Sequence, residues 1–319
     1  MPNTSDNYQS GFVSLIGRPN VGKSTLMNAL LGEKVAIVSN KPQTTRGKIT
    51  GVLTRPGSQI VFVDTPGIHR PKHKLGEHMV RAANSGIGDA DVVLYLVEPQ
   101  EKIGRGDTEI SEKLVKRGGT VFLVINKLDT VEKTQLLGVI DAYRGHVERT
   151  AQTLGKAFEF AEVVPISAVR GENLLPLLDA VTKHLPHGPR YFPDDVLTDQ
   201  PERVMAAELV REKLLHMLED EIPHGIAVDV TTFKPRETKN MLDIEATIVC
   251  ERESHKGIVI GKGGAVLKET GKRARLDMER LFGRPVNLQL WVKVRKDWRD
   301  SDMFLKSFGY SGRGYSHST

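Results

Sequence analysis

The sequence predicts an α/β chain in which a mostly parallel sheet, wrapped by helices on both faces, is followed by a smaller α+β module. Three observations point there. Apolar runs at 12–16, 92–97, 121–125 and 163–166 alternate with helix-period stretches, the pattern of βαβ units. At the first strand-to-helix junction lies Gly17-Arg18-Pro19-Asn20-Val21-Gly22-Lys23-Ser24, which fits G-x-x-x-x-G-K-[ST]. From residue 202 the order changes to α-β-β-α-β, with a Gly-Lys-Gly-Gly turn ahead of its later helix.

Bulk composition agrees. A chain of 319 residues suggests two domains, and 39% hydrophobic with 27% charged residues is enough for a packed core in each. The single cysteine, Cys250, sits in Ile248-Val249-Cys250 and reads as a core residue. It allows no intrachain disulfide, which suits a reducing cytosol. The polar start Met1-Pro2-Asn3-Thr4-Ser5-Asp6 lacks a signal-peptide pattern, and no apolar run approaches the ~18 residues of a membrane span. The expected location is therefore cytoplasmic. The net charge of +5 is unevenly placed: residues 256–299 hold twelve lysines and arginines against four acids. That excess points to a polyanionic partner for the C-terminal half.

The first strand, 12–16, feeds the glycine-rich loop, and residues 25–31 lead out as a helix. The glycines let backbone N–H groups curl around an anion, and the helix start adds its positive end. Asn20, Val21, Gly22, Lys23, Ser24 and Thr25 form the expected phosphate-contacting stretch. Lys23 would reach the β- and γ-phosphates, and the Ser24 hydroxyl would ligate Mg²⁺. The loop predicts a nucleoside triphosphate without saying which one.

A polar segment, Lys41-Pro42-Gln43-Thr44-Thr45-Arg46, precedes strands at 49–54 and 59–63, joined by the turn Arg55-Pro56-Gly57-Ser58. This reads as an antiparallel hairpin that leaves one strand at a sheet edge. Its second strand ends in Asp64-Thr65-Pro66-Gly67. A carboxylate at a strand tip beside the phosphate loop can hold Mg²⁺ through water, and the Gly67 N–H can meet a γ-phosphate. A helix at 75–85, the strand 92–97, a helix near 107–116 and the strand 121–125 follow. Asn126-Lys127-Leu128-Asp129 then ends that strand. The Asp129 carboxylate can accept from both N1–H and the exocyclic amine of guanine; adenine offers no such pair and would leave it unpaired. Asn126 and the aliphatic stem of Lys127 would frame the same ring. After the strand 163–166, the backbone of Ser167-Ala168 can face the guanine O6, and 172–184 is an amphipathic helix. The ligand would lie across the C-terminal strand ends.

Residues 186–201, with four prolines and neither period, form a linker whose Tyr191 and Phe192 can pin it to one domain. A long helix at 202–221 follows, with a stripe of Val204, Leu209, Leu214, Leu215 and Leu218, then strands at 226–232 and 242–250. Gly257-Ile258-Val259-Ile260 runs into Gly261-Lys262-Gly263-Gly264 and a helix bearing Lys268, Lys272, Arg273 and Arg275; the strand Val286–Val294 closes the module. A G-x-x-G loop between helical segments is the geometry of a KH module, which clamps about four nucleotides of single-stranded nucleic acid. Gly261, Lys262, Gly263, Gly264, Lys268, Lys272 and Arg273 are the expected RNA-contacting residues.

Taken together, these motifs resemble the Era GTPases, Ras-like bacterial proteins with a C-terminal KH domain of type II, over roughly residues 11–298. The resemblance rests on the phosphate loop, Gln43-Thr44-Thr45-Arg46, Asp64-Thr65-Pro66-Gly67, Asn126-Lys127-Leu128-Asp129, Ser167-Ala168 and Gly261-Lys262-Gly263-Gly264, in family order. It implies a GTPase domain at 1–185, a linker at 186–201, a KH domain at 202–300 and a tail at 301–319. It implies hydrolysis of GTP to GDP and phosphate, with Lys23, Thr45 and Gly67 as catalytic groups and Ser24, Thr45 and Asp64 around Mg²⁺. Thr45 is favoured over Thr44 as the first-switch ligand. Asn20 matches the asparagine with which related GTPases hold a monovalent cation, here K⁺. The expected partners are the 3′ end of 16S ribosomal RNA and the 30S subunit, for a monomer with some peripheral association at the inner membrane face. Ile68 stands where many small GTPases carry a water-orienting glutamine, so another group must position the water. The rivals are a GTPase acting on another RNA, a lipid-bound switch and an ATPase.

Overall fold

The structure is a computed structural model describing residues 8–41, 43–67, 71, 73–88, 90–219, 222–236 and 239–310. It divides into two compact units. Met1–Ala36, Thr45–Arg70 and Met79–Asp199 make the first, and Ile37–Thr44, Pro71–His78 and Gln200–Thr319 the second.

In the first unit the order is β1 (Gln9–Ile16), α1 (Lys23–Leu31), β2 (Ile49–Arg55), β3 (Ser58–Asp64), α2 (Lys74–Gly88, whose first residues count with the second unit), β4 (Val92–Val97), α3 (Arg105–Arg117), β5 (Thr120–Ile125), α4 (Leu136–Thr153), β6 (Glu162–Pro165) and α5 (Leu174–His184). The six strands lie in the order β2-β3-β1-β4-β5-β6, parallel except for β2 against β3. The hairpin and its edge strand are as the sequence predicts.

The apolar runs are continuous because both faces of this sheet are covered. Successive side chains point to opposite faces. Val92, Leu94 and Leu96 join one core with α1 and α5, while Val93, Tyr95 and Val97 join a second with α3 and α4. The helix α4 has no counterpart in the sequence reading. Gly138 and Gly145 interrupt its pattern, yet Val139, Tyr143, Val147 and Ala151 supply a buried face at helical spacing.

The linker is fastened to this unit. The Gln59 amide accepts from the Tyr191 and Phe192 N–H groups at 2.8 and 3.0 Å and donates to the Phe192 carbonyl at 2.9 Å. The Tyr191 ring packs 4.9 Å from that of Phe12, so Tyr191 pins the segment by its ring and main chain and Phe192 by its main chain.

The second unit continues with α6 (Glu202–Met217), β7 (Ala227–Arg236), β8 (Met241–Cys250), α7 (Glu253–Ile260), α8 (Ala265–Phe282), β9 (Val286–Val294) and α9 (Asp302–Ser307). Its sheet order is β7-β8-β9, with β7 antiparallel and β9 parallel to β8, and β9 on a free edge. Two expectations are corrected. The stretch 253–260 is a helix of its own, giving α-β-β-α-α-β. And α6 ends at Met217 without a simple apolar stripe: Val204 is half-exposed, whereas Arg211, Glu212 and Lys213 are buried beside Leu209 and Leu214. Those charges are paired. Arg211 bonds Glu208 and the Thr44 carbonyl, Glu212 accepts from the Val38 N–H at 2.9 Å, and Lys213 bonds Glu212 and Asp277 of α8. Cys250 is buried, as predicted.

Candidate nucleotide site and nucleic-acid module

The loop between β1 and α1 places its groups where an anion can be met. Gly22 adopts φ 99°, and an added Cβ would stand 2.3 Å from the Asn126 side-chain nitrogen. It therefore serves both as a left-handed turn and as a close approach. As N-cap of α1 it offers no side-chain cap, leaving first-turn N–H groups available to a phosphate. Asn20 also lies at positive φ, 67°. The Lys23 ammonium is buried and donates to the carbonyls of Gly17 and Arg18 at 3.1 and 3.0 Å. Burial brings its pKa down to about 8, against the opposing pull of the Asp64 carboxylate.

Ser24, Thr45 and Asp64 converge. Ser24 Oγ donates to Asp64 Oδ2 at 2.5 Å, Thr45 Oγ1 donates to the same oxygen at 3.3 Å, and the two hydroxyls lie 3.0 Å apart. Asp64 is buried, which pushes its pKa up, with Lys23 and the two hydroxyls opposing. Its Oδ1 is buried with no hydrogen-bond partner among the described residues. An orphaned buried carboxylate oxygen beside two hydroxyls is the donor set a hard divalent cation takes, so these residues fit Mg²⁺. The hydroxyl of Thr44, the alternative ligand, donates to the Lys41 carbonyl at 2.6 Å. Gly67 lies against the loop, since a Cβ there would stand 2.8 Å from the Pro19 nitrogen. Ile68 lies outside the described residues.

The segment expected to meet guanine is joined to the loop through one side chain. Asn126 donates to the Val21 carbonyl at 2.8 Å and accepts from the Ala168 N–H at 3.0 Å. Asp129 accepts from Ser167 Oγ at 2.5 Å, and that bond holds its carboxyl below the usual range. Ser167 thus acts through its hydroxyl on Asp129, a role the sequence reading did not give it. Thr25, next to Ser24 in the first turn of α1, is half-buried.

Sequence reasoning also missed a charge chain behind the site. The Lys127 ammonium bonds Glu98, Glu98 stands 3.6 Å from Arg18, and Arg18 pairs at 3.0 Å with the fully buried Asp107. The only signal was an arginine at the first variable position of the phosphate loop.

In the second unit Gly261, Lys262, Gly263 and Gly264 join α7 to α8, with φ of 74°, 59° and 79° at the three glycines. Lys262, Lys268, Lys272 and Arg273 are exposed. Arg273, however, pairs with Glu269 at 2.6 Å, which weakens its case as a phosphate contact.

Residues 12–127 match the model of a 50S ribosome-binding GTPase family, and residues 221–299 match that of the KH domain. The chain is 53% identical over 304 residues to the GTPase Era of Alkaliphilus metalliredigens, covering 95% of this chain and 99% of that one. It is 50% identical to the GTPase Era of Clostridioides difficile over 96% of this chain and all of that one. Among solved structures, Era in complex with MgGDPNP and nucleotides 1506–1542 of 16S ribosomal RNA superposes with a TM-score of 0.87 at 42% identity, over 95% of this chain and 99% of that one. A variant of Aquifex aeolicus Era bound to GDP·AlF4⁻ gives the same values.

Proposed function

The chain belongs to the Era family of GTPases, and on that footing we propose that it binds the 3′ end of 16S ribosomal RNA through its KH domain and acts in assembly of the 30S subunit. It hydrolyses GTP to GDP and phosphate. The observation that carries the RNA reading is the Gly-Lys-Gly-Gly junction, with all three glycines at positive φ and Lys262, Lys268 and Lys272 exposed around it. That backbone can approach phosphates closely, and the relative that carries nucleotides 1506–1542 matches over nearly the whole chain.

In this reading Asn20, Val21, Gly22, Lys23, Ser24 and Thr25 wrap the phosphates, while Ser24, Thr45 and Asp64 hold Mg²⁺. Bound Mg²⁺ neutralises charge on the β- and γ-phosphates. Lys23 supplies a cation already desolvated by the protein, and Gly67 an N–H toward the γ-phosphate. Asp129 selects guanine, with Asn126, Lys127, Ser167 and Ala168 shaping its site. With isoleucine at position 68, the first-switch backbone would position the attacking water, and Asn20 would hold a K⁺ that supplies positive charge beside the phosphates. Hydrolysis at equal rates in K⁺ and Na⁺ buffers would remove that ion.

The test is binding of the 16S segment 1506–1542 by the native protein and by Gly263→Asp, with GTP turnover measured alongside. Position 263 faces open space, and aspartate adopts its left-handed φ of 59° more readily than most side chains, so the variant adds a negative charge beside the RNA phosphates at modest backbone strain. The reading requires loss of RNA binding with intrinsic GTP turnover retained. Loss of RNA binding with binding to anionic vesicles intact favours the RNA reading, whereas RNA binding unchanged in the variant would overturn it.

A further inference from the structure

The phosphate-loop pattern leaves its second position free, yet this chain places an arginine there and builds a seat for it. Arg18 Nε pairs at 3.0 Å with Asp107, whose carboxylate is fully buried. That carboxylate is itself held. Its Oδ1 accepts from the Tyr95 hydroxyl at 3.2 Å, and its Oδ2 from the Gly104 N–H at 3.2 Å. Tyr95 lies on β4 in register with Ile16, the last residue of β1 before the loop. The start of α3 is shaped to the arginine as well. A Cβ at Gly106 would stand 3.1 Å from Arg18 Cδ and 3.2 Å from its Cγ. Glycine disfavours a helix, and at the second position of α3 it admits the arginine stem.

This seat lies behind the atoms that hold Lys23. The Lys23 ammonium donates to the carbonyls of Gly17 and Arg18, which belong to the two peptide groups flanking the Arg18 Cα. Pro19 confines Arg18 to extended backbone. The same proline walls Gly67, where a Cβ would stand 2.8 Å from both Pro19 N and its Cγ. On the β4 side, a Cβ at Gly17 would stand 2.5 Å from the Leu96 carbonyl, so the loop has no room to shift that way. Anchoring the Arg18 side chain limits the freedom that remains, the tilt of the two carbonyls.

We propose that Arg18 is a positioning residue for GTP hydrolysis. Clamped by Asp107, it sets the carbonyls that aim Lys23 and the proline wall against which Gly67 lies. Its guanidinium is committed to Asp107, so it acts through the main chain of the loop. This rests on the reading above, in which Lys23 and Gly67 meet the γ-phosphate.

The test uses the full chain, with calorimetry of GDP and a non-hydrolysable GTP analogue and with single-turnover GTP hydrolysis. Arg18→Met keeps the stem and removes the anchor. The GTP analogue should bind about 10-fold more weakly, and turnover at saturating GTP should fall about 10-fold, within the roughly 100-fold that a 1 Å misplacement can cost. GDP, which lacks the γ-phosphate, should lose no more than about 3-fold. Arg18→Lys should recover part of the loss, because its single ammonium restores a charge beside Asp107 without the fork of a guanidinium. Arg18→Met strands a buried carboxylate, so Asp107→Asn is combined with it to keep a folded variant in hand. The double variant should bind the GTP analogue no more weakly than Arg18→Met, since both changes break one clamp.

Equal losses for GDP and the GTP analogue, or turnover at saturation unchanged, overturn the proposal. A lower melting temperature with native affinity does so too, and makes the clamp a purely structural pair. Lys23→Met separates the two failures. If it abolishes tight binding while the Arg18 variants bind and hydrolyse normally, only the positioning role falls. If Lys23→Met binds as the native protein does, the phosphate-loop reading falls with it.

Discussion

Arg211, fully buried on α6, donates a hydrogen bond to the backbone carbonyl of Thr44. Glu208 neutralises the guanidinium, and the next buried charges, Glu212 and Lys213, continue through Asp277 into α8. Thr45, the proposed Mg²⁺ ligand, follows that carbonyl in the chain. Removing one member of a buried pair strands the other, at about 3–5 kcal/mol. Glu208 retains some solvent contact, so Arg211→Leu should cost toward the lower end, about 3 kcal/mol. Urea unfolding of the second unit checks it, and adding Glu208→Gln should recover part of the loss. A single variant as stable as the native protein would show that the pair contributes nothing.

Asn126 ties the phosphate loop to the Ser167-Ala168 segment through Val21 and Ala168. Asn126→Ala removes both bonds and leaves a buried carbonyl and a buried N–H unsatisfied, each at about 1–3 kcal/mol. GDP and GTP should therefore weaken together, by about 30-fold or more, measured by calorimetry. A loss confined to one nucleotide would mean that the bridge does not couple the two halves of the site.

The sheet was legible because its strands are buried on both faces and read as unbroken apolar runs, and β9 because its alternation marks a half-covered strand. The site motifs were legible because phosphate and guanine recognition need particular atoms at fixed spacing along short loops. What escaped depended on partners distant in sequence. The α6 charges look solvent-facing until Glu208, Asp277 and the 37–44 segment are brought to them. Arg18 acquires meaning only from Glu98 and Asp107, some 80–90 residues on. The helix α4 escaped because glycines diluted a periodicity that tertiary burial restores.

Asp129 is held ionised by the Ser167 hydroxyl. Asp129→Asn replaces an acceptor for two guanine donors with an amide that opposes one of them. GTP affinity should fall at least about 100-fold, in the range that polar-site discrimination reaches. Xanthosine triphosphate, with a carbonyl where guanine has its amine, should gain. Competition binding with both nucleotides reads the switch, and unchanged GTP preference would reassign the base-selecting group.

Burial pushes the Cys250 thiol up to about 11. The reacting species is the thiolate, so at pH 8 the folded protein should resist a thiol reagent. The raised pKa also means that the neutral thiol is the favoured folded form, so the stability from this group is full below the unfolded pKa of about 8.5 and is lost as pH rises from there through about 11. In urea the thiol returns to its ordinary pKa of about 8.5 and labels fully. One equivalent should appear in step with unfolding of the second unit. Rapid labelling in buffer would place the residue at the surface.

Glu98 sits between two cations, accepting from the Lys127 ammonium and lying 3.6 Å from Arg18. Lys127 occupies a left-handed backbone conformation, φ 68°, so its aliphatic stem is aimed by the loop and its end is tethered by Glu98. The pair is about one-third exposed, so screening keeps its worth within about 1 kcal/mol. Glu98→Gln preserves the shape and removes the charge. GDP should bind about 2- to 5-fold more weakly at low salt, and the difference should shrink at high ionic strength, where exposed charges are screened. Asp107→Asn differs because that carboxylate is fully buried against Arg18. It should lower the melting temperature as well as the affinity, whereas Glu98→Gln should leave melting unchanged. If Glu98→Gln binds GDP as tightly as the native protein at low salt, the tether does not orient Lys127, and the lysine stem is held by the backbone alone.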